Sequence, residues 1–368
     1  MRVDAVELVR LRIPLVVPFR TSFGTQDARD VLLVRVCTPE ADGWGECVAM
    51  EAPLYSAEYT QAAHRVMVEH LLPRLFAVAD LRPARVAEIF APVVEHRMAK
   101  AAVETAVLDA RLRAAGMPLA DHLGAVRDSV DCGVSVGIHD SVPALLDAVG
   151  GYLDAGYRRI KLKIEPGWDI EPVRAVRERF GSELALQVDA NAAYTLADTR
   201  RLANLDPFDL LLLEQPLAAE DIAGHARLAA VLSTPICLDE SIVSARVAAD
   251  AIARGACAIV NIKPARVGGL FEARRVHDVC AAFGVPVWCG GMLETGIGRA
   301  ANLALAALPN FTLPGDTSAS DRYFRCDLTE PFVLRDGRLP VPTGPGIGVD
   351  PLPEVLGELT VSRETLTR

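Results

Sequence analysis

The chain has 368 residues, enough for two or three domains and for a core that needs no disulfide or metal to hold it together. Acidic residues outnumber basic ones, 48 to 38, giving a formal charge of −10; this disfavours nucleic acid and anionic membranes as partners. No apolar run is long enough to span a membrane, and the charged N-terminus lacks the apolar segment of a secretion signal, so we expect a cytoplasmic protein.

The first 125 residues divide into a strand-rich part and a helical part. VELVRLRIPL and DVLLVRVCT read as strands, and Asp42-Gly43 supplies a turn before Trp44, which predicts an antiparallel meander. From about residue 56 to residue 123 the apolar period becomes helical, ending in MAKAAVETAVLDARLRAAG. Strands followed by helices predict an α+β domain over residues 1–125.

From Cys132 onward, eight short apolar runs alternate with helical stretches. The runs are CGVSVG, RIKLKI, LALQVDA, LLLLEQ, PICLDE, AIVNIK, VPVWCGG and NFTLPG. The charged residues that end five of them, from Lys163 to Lys263, recur every 24 to 26 residues. This even period favours a closed α/β barrel, over residues 126–318, rather than an open doubly wound sheet. Residues 319–368 contain no further unit, and we expect them to pack back on the first domain.

The five charged strand ends are, in chain order, Lys163, Asp189, Glu214, Asp239 and Lys263. A lone charge at a strand end is usually a solvated loop residue, but three acids in register between two lysines are hard to explain in that way. Carboxylates on adjacent strands repel one another, and a hard divalent cation removes the repulsion. Three carboxylates with water suit Mg²⁺, and Mn²⁺ or Co²⁺ can take the same site. We therefore predict a metal site rather than a structural network of ion pairs.

Side-chain parity extends the predicted site. Residues i and i+2 of a strand point the same way, so three more polar side chains share this face: Lys161, Asn191 and Asn261. An apolar barrel interior would not accept Lys161 without a partner, and the predicted carboxylates supply one. Lys161 is also placed to face a developing oxyanion.

The positions of the two outer lysines suggest a reaction. Strands two and six of an eight-stranded barrel lie on opposite sides, so Lys163 and Lys263 would face each other across the metal. Two bases that flank one carbon can remove a proton from one face and return it to the other. The metal would stabilise an enolate, and nearby cations such as Arg266 would lower the pKa of the lysines toward neutrality. A solvated or capping arginine is an equal alternative for Arg266.

Six motifs of the barrel region carry a family resemblance. They are KLK at 161–163, VDAN at 188–191, LEQP at 213–216, CLDES at 237–241, NIKPARVGG at 261–269 and WCGGMLETGIG at 288–298. They resemble the enolase superfamily, muconate-lactonizing subgroup, and within it the N-acylamino acid racemase/o-succinylbenzoate synthase family. The resemblance covers essentially the whole chain, because PFRTSFGTQ at 18–26, WGECVAMEAPLYS at 44–56 and NFTLPGDTSASDRYF at 310–324 share in it.

The resemblance implies a modified (β/α)₇β TIM-like barrel with an α+β capping domain, in a homo-oligomer that is often an octamer. It implies that the Mg²⁺ ligands are Asp189, Glu214 and Asp239. It implies that Lys163 and Lys263 are the acid/base pair and that Lys161 is an electrostatic helper. It also implies racemization of N-acyl or N-succinyl amino acids and a dehydration that forms o-succinylbenzoate. Two departures, Ala265 where glycine is common and Leu293 where isoleucine is common, bear on substrate preference more than on chemistry.

We expect an apolar substrate pocket at the mouth of the barrel. From the residues alone, Phe19 and Phe23 beside Gly24 fit ordinary packing better than a mobile lid. With the resemblance, the expected lining is Phe19, Phe23, Met50, Tyr55, Ser135, Gly290, Gly291, Met292 and Leu293. The two consecutive glycines would allow a close backbone approach to an amide or succinyl group.

The sequence leaves several functions open for a small-molecule substrate. The main prediction is a metal-dependent racemase of N-acyl and N-succinyl amino acids. In the alternative, an o-succinylbenzoate synthase of menaquinone biosynthesis, Lys163 would remove the proton and assist the loss of water, and Lys263 would be chiefly a cation. Muconate cycloisomerase is a third hypothesis. A dipeptide epimerase is disfavoured, because the segment GDTSAS after the eighth apolar run lacks a DxD motif to bind the peptide ammonium group. A metal-binding barrel without catalysis is the non-enzyme alternative, and the intact lysine pair counts against it.

Overall fold

The computed structural model describes residues 1–368, organised as thirteen strands and fourteen α-helices. The strands are β1 (Ala5–Thr21), β2 (Gly24–Cys37), β3 (Gly43–Cys47), β4 (Ser129–Asp131), β5 (Gly133–Val136), β6 (Arg159–Lys163), β7 (Ala185–Asp189), β8 (Leu213–Glu214), β9 (Ile236–Leu238), β10 (Ile259–Ile262), β11 (Val287–Cys289), β12 (Arg338–Pro340) and β13 (Thr360–Thr367). The helices are α1 (Thr60–Val66), α2 (Leu72–Phe76), α3 (Val86–Phe90), α4 (Arg97–Ala114), α5 (Leu119–Leu123), α6 (Val142–Asp154), α7 (Ile170–Phe180), α8 (Thr199–Ala203), α9 (Ile222–Ala229), α10 (Ala245–Ala253), α11 (Pro264–Val267), α12 (Leu270–Ala282), α13 (Gly296–Ala306) and α14 (Pro353–Leu359). A π-helical turn, Met67–Leu71, joins α1 to α2.

One antiparallel sheet, in the order β13-β1-β2-β3, forms a unit with helices α1–α5 that we call the capping domain. Strands β2 and β3 contact α4, and apolar residues of β1 and β2 share one buried cluster with that helix. Strand β3 lies so close to α4 that a methyl group at Gly45 would overlap the backbone carbonyl of Ala102. The sheet therefore places its β1–β2 hairpin and the segment after β3 over the barrel.

The second sheet is parallel, in the order β11-β10-β9-β8-β7-β6-β5, with helices covering its outside. Residues 311–316 complete it as an irregular eighth strand. On one side the Thr312 amide donates to the carbonyl of Val287, and on the other the Gly133 amide donates to the carbonyl of Gly315. This closure confirms the α/β fold, a TIM-like barrel with a capping domain. None of the helices combines the length and the apolar character that a membrane crossing requires.

Short polar caps begin several barrel helices and hold the strand ends on one face. The side chains of Ser141, Asp221 and Ser244 accept backbone N–H groups in the first turns of α6, α9 and α10. Each helix packs on the sheet through an apolar stripe, so the carboxyl ends of the parallel strands meet at the rim nearest the capping domain.

Candidate active site

The charged strand ends meet at the rim that faces the capping domain. Strand register places Lys163 beside Asp189 and Asp189 beside Glu214. Asp239 follows β9 and Lys263 follows β10, and all five side chains are buried. The spacing of 24 to 26 residues thus brings five charges from five consecutive strands into one site.

Lys163 is held by two side chains of the neighbouring strand. Its Nζ donates to Oδ2 of Asp189 at 2.6 Å and to Oδ1 of Asn191 at 2.6 Å. The amide of Asn191 in turn donates to Oε1 of Glu240 at 2.9 Å. Asn191 therefore contacts the lysine from just beyond the end of β7, where its φ is 42°.

Lys263 has different partners, one of which comes from the capping domain. Its Nζ donates to Oδ2 of Asp239 at 2.8 Å and to the hydroxyl of Tyr55 at 3.1 Å. Arg266 is buried and contacts Asp239 while donating to the carbonyls of Ile242 and Asn261, so it is not a solvated arginine. The arginine therefore ties Asp239 to the segment that carries Lys263.

Lys161 lies deeper in the barrel, enclosed by carboxylates and an aromatic ring. Its Nζ lies 3.0 Å from Glu214, 3.3 Å from Asp189 and 2.5 Å from Asp316, and 4.8 Å from the centre of the Trp288 ring. Burial acts to lower the pKa of this lysine, but Asp316, Glu214 and Asp189 outweigh it and raise the pKa above the ordinary lysine value, so Lys161 is a fixed positive charge.

Three polar residues of the site were missed by the sequence predictions. Asp316 pairs with Lys161, and Glu240 is the partner of Asn191. Gln215 is fully buried, and its Oε1 accepts the amide of Asp239 at 3.0 Å, which fixes the end of β9. Gln215 directly follows β8 and Glu240 lies two residues beyond β9, so for these two residues the position at a strand end was a usable signal.

Burial and close charges shift the pKa values of this cluster. Burial acts to raise the pKa of Asp189, but Lys163 and Lys161 outweigh it and hold that pKa below its usual range. Burial, reinforced by Asp189, raises the pKa of Glu214. Burial acts to lower the pKa of Lys263, yet Tyr55 and the neighbouring carboxylates raise it above the ordinary lysine value. The raised pKa of Lys263 reflects the anionic groups that surround it, and the expected lowering by nearby cations, the divalent metal among them, stays a prediction.

The chemistry of the donor set fits a hard divalent cation. Asp189, Glu214 and Asp239 are buried carboxylates on neighbouring strands, and Oδ1 of Asp239 accepts no well-aligned hydrogen bond. Each carboxylate is turned toward a lysine, and no three acidic, histidine or cysteine side chains converge closely enough to hold an ion. Metal binding would therefore require these carboxylates to rotate from their lysines toward a common point.

A cavity of about 40 Å³ lies between the rim and the capping domain. All the predicted pocket residues except Gly290 line this cavity. The three lysines and Asn191 also line it. Four further lining residues were not predicted: Thr21, Gln26, Asp316 and Tyr323. Gly290 instead lies against Asn261 and Lys263, where a Cβ would collide with both side chains. The three carboxylates, Asn261 and Arg266 lie behind the lining. Small-molecule sites usually enclose about 300–1,000 Å³, so a substrate must displace side chains or the overlying segments.

Two family models cover most of the chain. Residues 5–124 match the N-terminal domain of mandelate racemase/muconate lactonizing enzyme, and residues 144–355 match the enolase C-terminal domain-like family.

Individual proteins resemble the chain over nearly its whole length. It is 66% identical to an N-succinylamino acid racemase of an Amycolatopsis species, covering 99% of each chain. It is 48% identical to an o-succinylbenzoate synthase of Geobacillus kaustophilus, over 95% of this chain and 94% of that protein. A solved structure of an enolase-superfamily member from Listeria innocua superposes with a TM-score of 0.95 at 42% identity, covering 100% of this chain and 99% of the other.

Proposed function

The chain belongs to the N-succinylamino acid racemase/o-succinylbenzoate synthase family of the enolase superfamily, and from this premise we propose that it is a divalent-metal-dependent enzyme that racemizes N-acyl and N-succinyl amino acids. One observation carries the proposal: Lys163 and Lys263 border a single cavity from strands on either side of three buried carboxylates. A scaffold protein without catalysis would have no need of this pair.

The proposed reaction moves one proton at the carbon next to the substrate carboxylate. One lysine, as the neutral amine, takes the α-proton from one face, and the other, as the ammonium, gives a proton to the opposite face. The reverse direction exchanges their roles. Asn191 and Tyr55 orient the two amines, and Lys161 supplies a fixed positive charge near the substrate oxygens.

Asp189, Glu214 and Asp239 are the residues that would hold the divalent cation. We propose Mg²⁺, with Mn²⁺ or Co²⁺ as substitutes in a site whose donors are oxygens. When bound, the ion neutralises the substrate carboxylate and the charge that gathers on it as the α-proton leaves.

A second activity, formation of o-succinylbenzoate, is favoured by the 48% identity to a synthase of that name. It needs one proton removed and one hydroxyl lost as water. Lys163 can take the proton and then protonate the departing hydroxyl, while Lys263 remains a cation that balances negative charge. Either activity can be the physiological one, because both use the same arrangement of lysines and carboxylates.

Hydrogen exchange tests the racemase proposal. Each enantiomer of N-succinylphenylglycine would be incubated with enzyme and Mg²⁺ in D₂O, and the α-proton followed by NMR. We expect exchange from both enantiomers together with their interconversion, because each face of the α-carbon has its own base.

The control is the same mixture with EDTA, which should stop the exchange. If neither enantiomer exchanges its α-proton, the racemase proposal is overturned, and the synthase or an inactive barrel is left. Exchange from one enantiomer alone would show a single working base and would favour the synthase.

Assembly and location stay predictions. The family resemblance implies a homo-oligomer, often an octamer, and we propose the same here. We also propose a cytoplasmic location.

A further inference from the structure

A buried carboxylate of the capping domain binds the first turn of a barrel helix. Glu46, in β3, accepts the amide of Thr295 at 3.1 Å, its hydroxyl at 2.7 Å and the amide of Gly298 at 2.9 Å. All three donors lie at the start of α13, where backbone N–H groups lack partners within the helix. The side chain is buried, so these contacts are shielded from water.

The segment that precedes α13 is one wall of the cavity. Gly291, Met292 and Leu293 line the cavity between the end of β11 and the helix. Leu293 has a φ of 57°, an unusual conformation for a branched residue that the surroundings must maintain. The side chain of Met292 packs in the hydrophobic cluster of the capping domain, which also contains Met50. The wall is thus fixed at Met292 on one side and at Glu46 on the other.

The strand that carries Glu46 also leads to a second part of the cavity lining. Strand β3 ends at Cys47, and Met50 and Tyr55 follow it to line the cavity. The chain therefore links the two parts of the lining: Met50 lies four residues beyond Glu46, and Glu46 binds the helix turn that follows Leu293.

Opposite charges surround this connection. Arg29 is fully buried and its Nε has no partner, and Glu46 and Glu294 are the two acids that most favour its charge. Asp327 accepts the amide of Gly296 in the same helix turn, and Arg299 lies 3.8 Å from Asp327. Burial raises the pKa of Glu46 to about 7, against the lowering effect of its hydrogen bonds from Thr295.

We propose that Glu46 is a positioning residue: it sets the distance between the lining residue Met50 and the lining segment Gly291–Leu293. This distance in turn determines the affinity for the acyl and side-chain groups of the substrate. The proposal rests on the proposed function only in naming those groups. The two proposed bases are held on the barrel by Asp189 and Asp239, so we expect a change at Glu46 to act on substrate binding more than on turnover.

The test replaces Glu46 by glutamine and measures binding and turnover separately. Calorimetry with Mg²⁺ and N-succinylphenylglycine gives Kd, and racemization gives KM and kcat. We expect Kd and KM to rise about three- to tenfold at pH 8, because the variant loses a charge-assisted hydrogen bond. We expect kcat to stay within about twofold of the wild-type value. Between pH 6 and 8, wild-type kcat/KM should contain a transition near pH 7 that Glu46→Gln lacks.

Asp109→Asn is the matched control. Asp109 is an equally buried carboxylate that accepts the amides of Trp44 and Ile347, but it contacts no residue of the cavity. We expect this variant to lose thermal stability with Kd unchanged. If Glu46→Gln does not fold, Thr295→Val serves instead, since it removes the hydroxyl that donates to Glu46 at 2.7 Å.

The outcomes separate the two proposals. An unchanged Kd in the Glu46 variant, an equal change in the Asp109 variant, or a fall in kcat alone would each overturn the positioning role. If wild type binds the substrate without exchanging its α-proton, the proposed function fails, while the ratio of the two Kd values still decides the role of Glu46.

Discussion

Lys163 and Lys263 are chemically alike but are held by different parts of the molecule. Lys163 is bound by Asp189 and Asn191, both from the next barrel strand unit. Lys263 is bound by Asp239 and by Tyr55 of the capping domain, whose ring centre lies 4.9 Å from its Nζ. Movement of the capping domain would therefore alter the surroundings of Lys263 more than those of Lys163.

This asymmetry separates the two proposed reactions. Replacing Lys263 by alanine removes one of the two bases, so racemization should fall by about 10²- to 10⁴-fold. Formation of o-succinylbenzoate should fall less, because that reaction needs Lys263 only as a cation. Both rates would be measured on one preparation, with Lys163→Ala as the comparison, which should lose both activities. Equal losses from the Lys263 variant would contradict the division of roles.

Several residues that shape the site are held in left-handed backbone conformations at strand ends. Asn191, Gln215 and Leu293 have φ values of 42°, 38° and 57°. Such conformations cost about 1–3 kcal/mol each and persist where the surroundings maintain them. The Gln215 side chain shows how, because it accepts the amides of both Asp239 and Ser241 and so ties one strand end to the next.

Strand β3 packs so closely on helix α4 that position 45 has no room for a side chain larger than that of glycine. A methyl group there would overlap the backbone of Ala102, and the strand would have to move off the helix. We expect Gly45→Ala to lower the Tm by about 5 °C or more, measured by calorimetry. Gly151→Ala is the control, since Gly151 is exposed in α6 with no atom near the added methyl group, and it should leave the Tm equal or slightly higher.

For the whole molecule, the regular barrel was predictable and its irregular parts were not. Five charged strand ends at an even spacing identified the barrel and brought its lysines and carboxylates together. The eighth strand is short and irregular, so the position of Asp316 could not be derived from the same spacing. Strand β13 was missed because its residues are mostly exposed and polar and show no apolar alternation. The division of the chain at residues 125 and 318, and the roles of the site residues, stay predictions.

Global stability should depend on buried carboxylates of the capping domain. Glu104 is buried in α4 and accepts the amide of Phe271 in α12, and burial raises its pKa from 4.5 to about 7. Between these values the folded protein keeps a proton that the unfolded chain releases, so this contribution to stability is full below about pH 4.5 and is lost as the pH rises to about 7.

Replacing Glu104 by glutamine removes that dependence. The Tm of the variant minus that of wild type should increase from pH 5 to pH 7.5, by calorimetry at matched ionic strength. Glu330→Gln, at an exposed position, should follow wild type. Parallel curves for wild type and the Glu104 variant would show that the buried group does not titrate in this range.

The pairing of β13 with β1 has a consequence for synthesis on the ribosome. The barrel lies between these two strands in the chain, so its sequence is translated before the last strand of the capping sheet exists. Until then β1 presents an unpaired row of backbone donors and acceptors, which is the kind of surface on which nascent chains associate. Codon changes that slow the synthesis of β13 would thus lower the yield of folded protein, while the activity of the molecules that do fold would be unchanged.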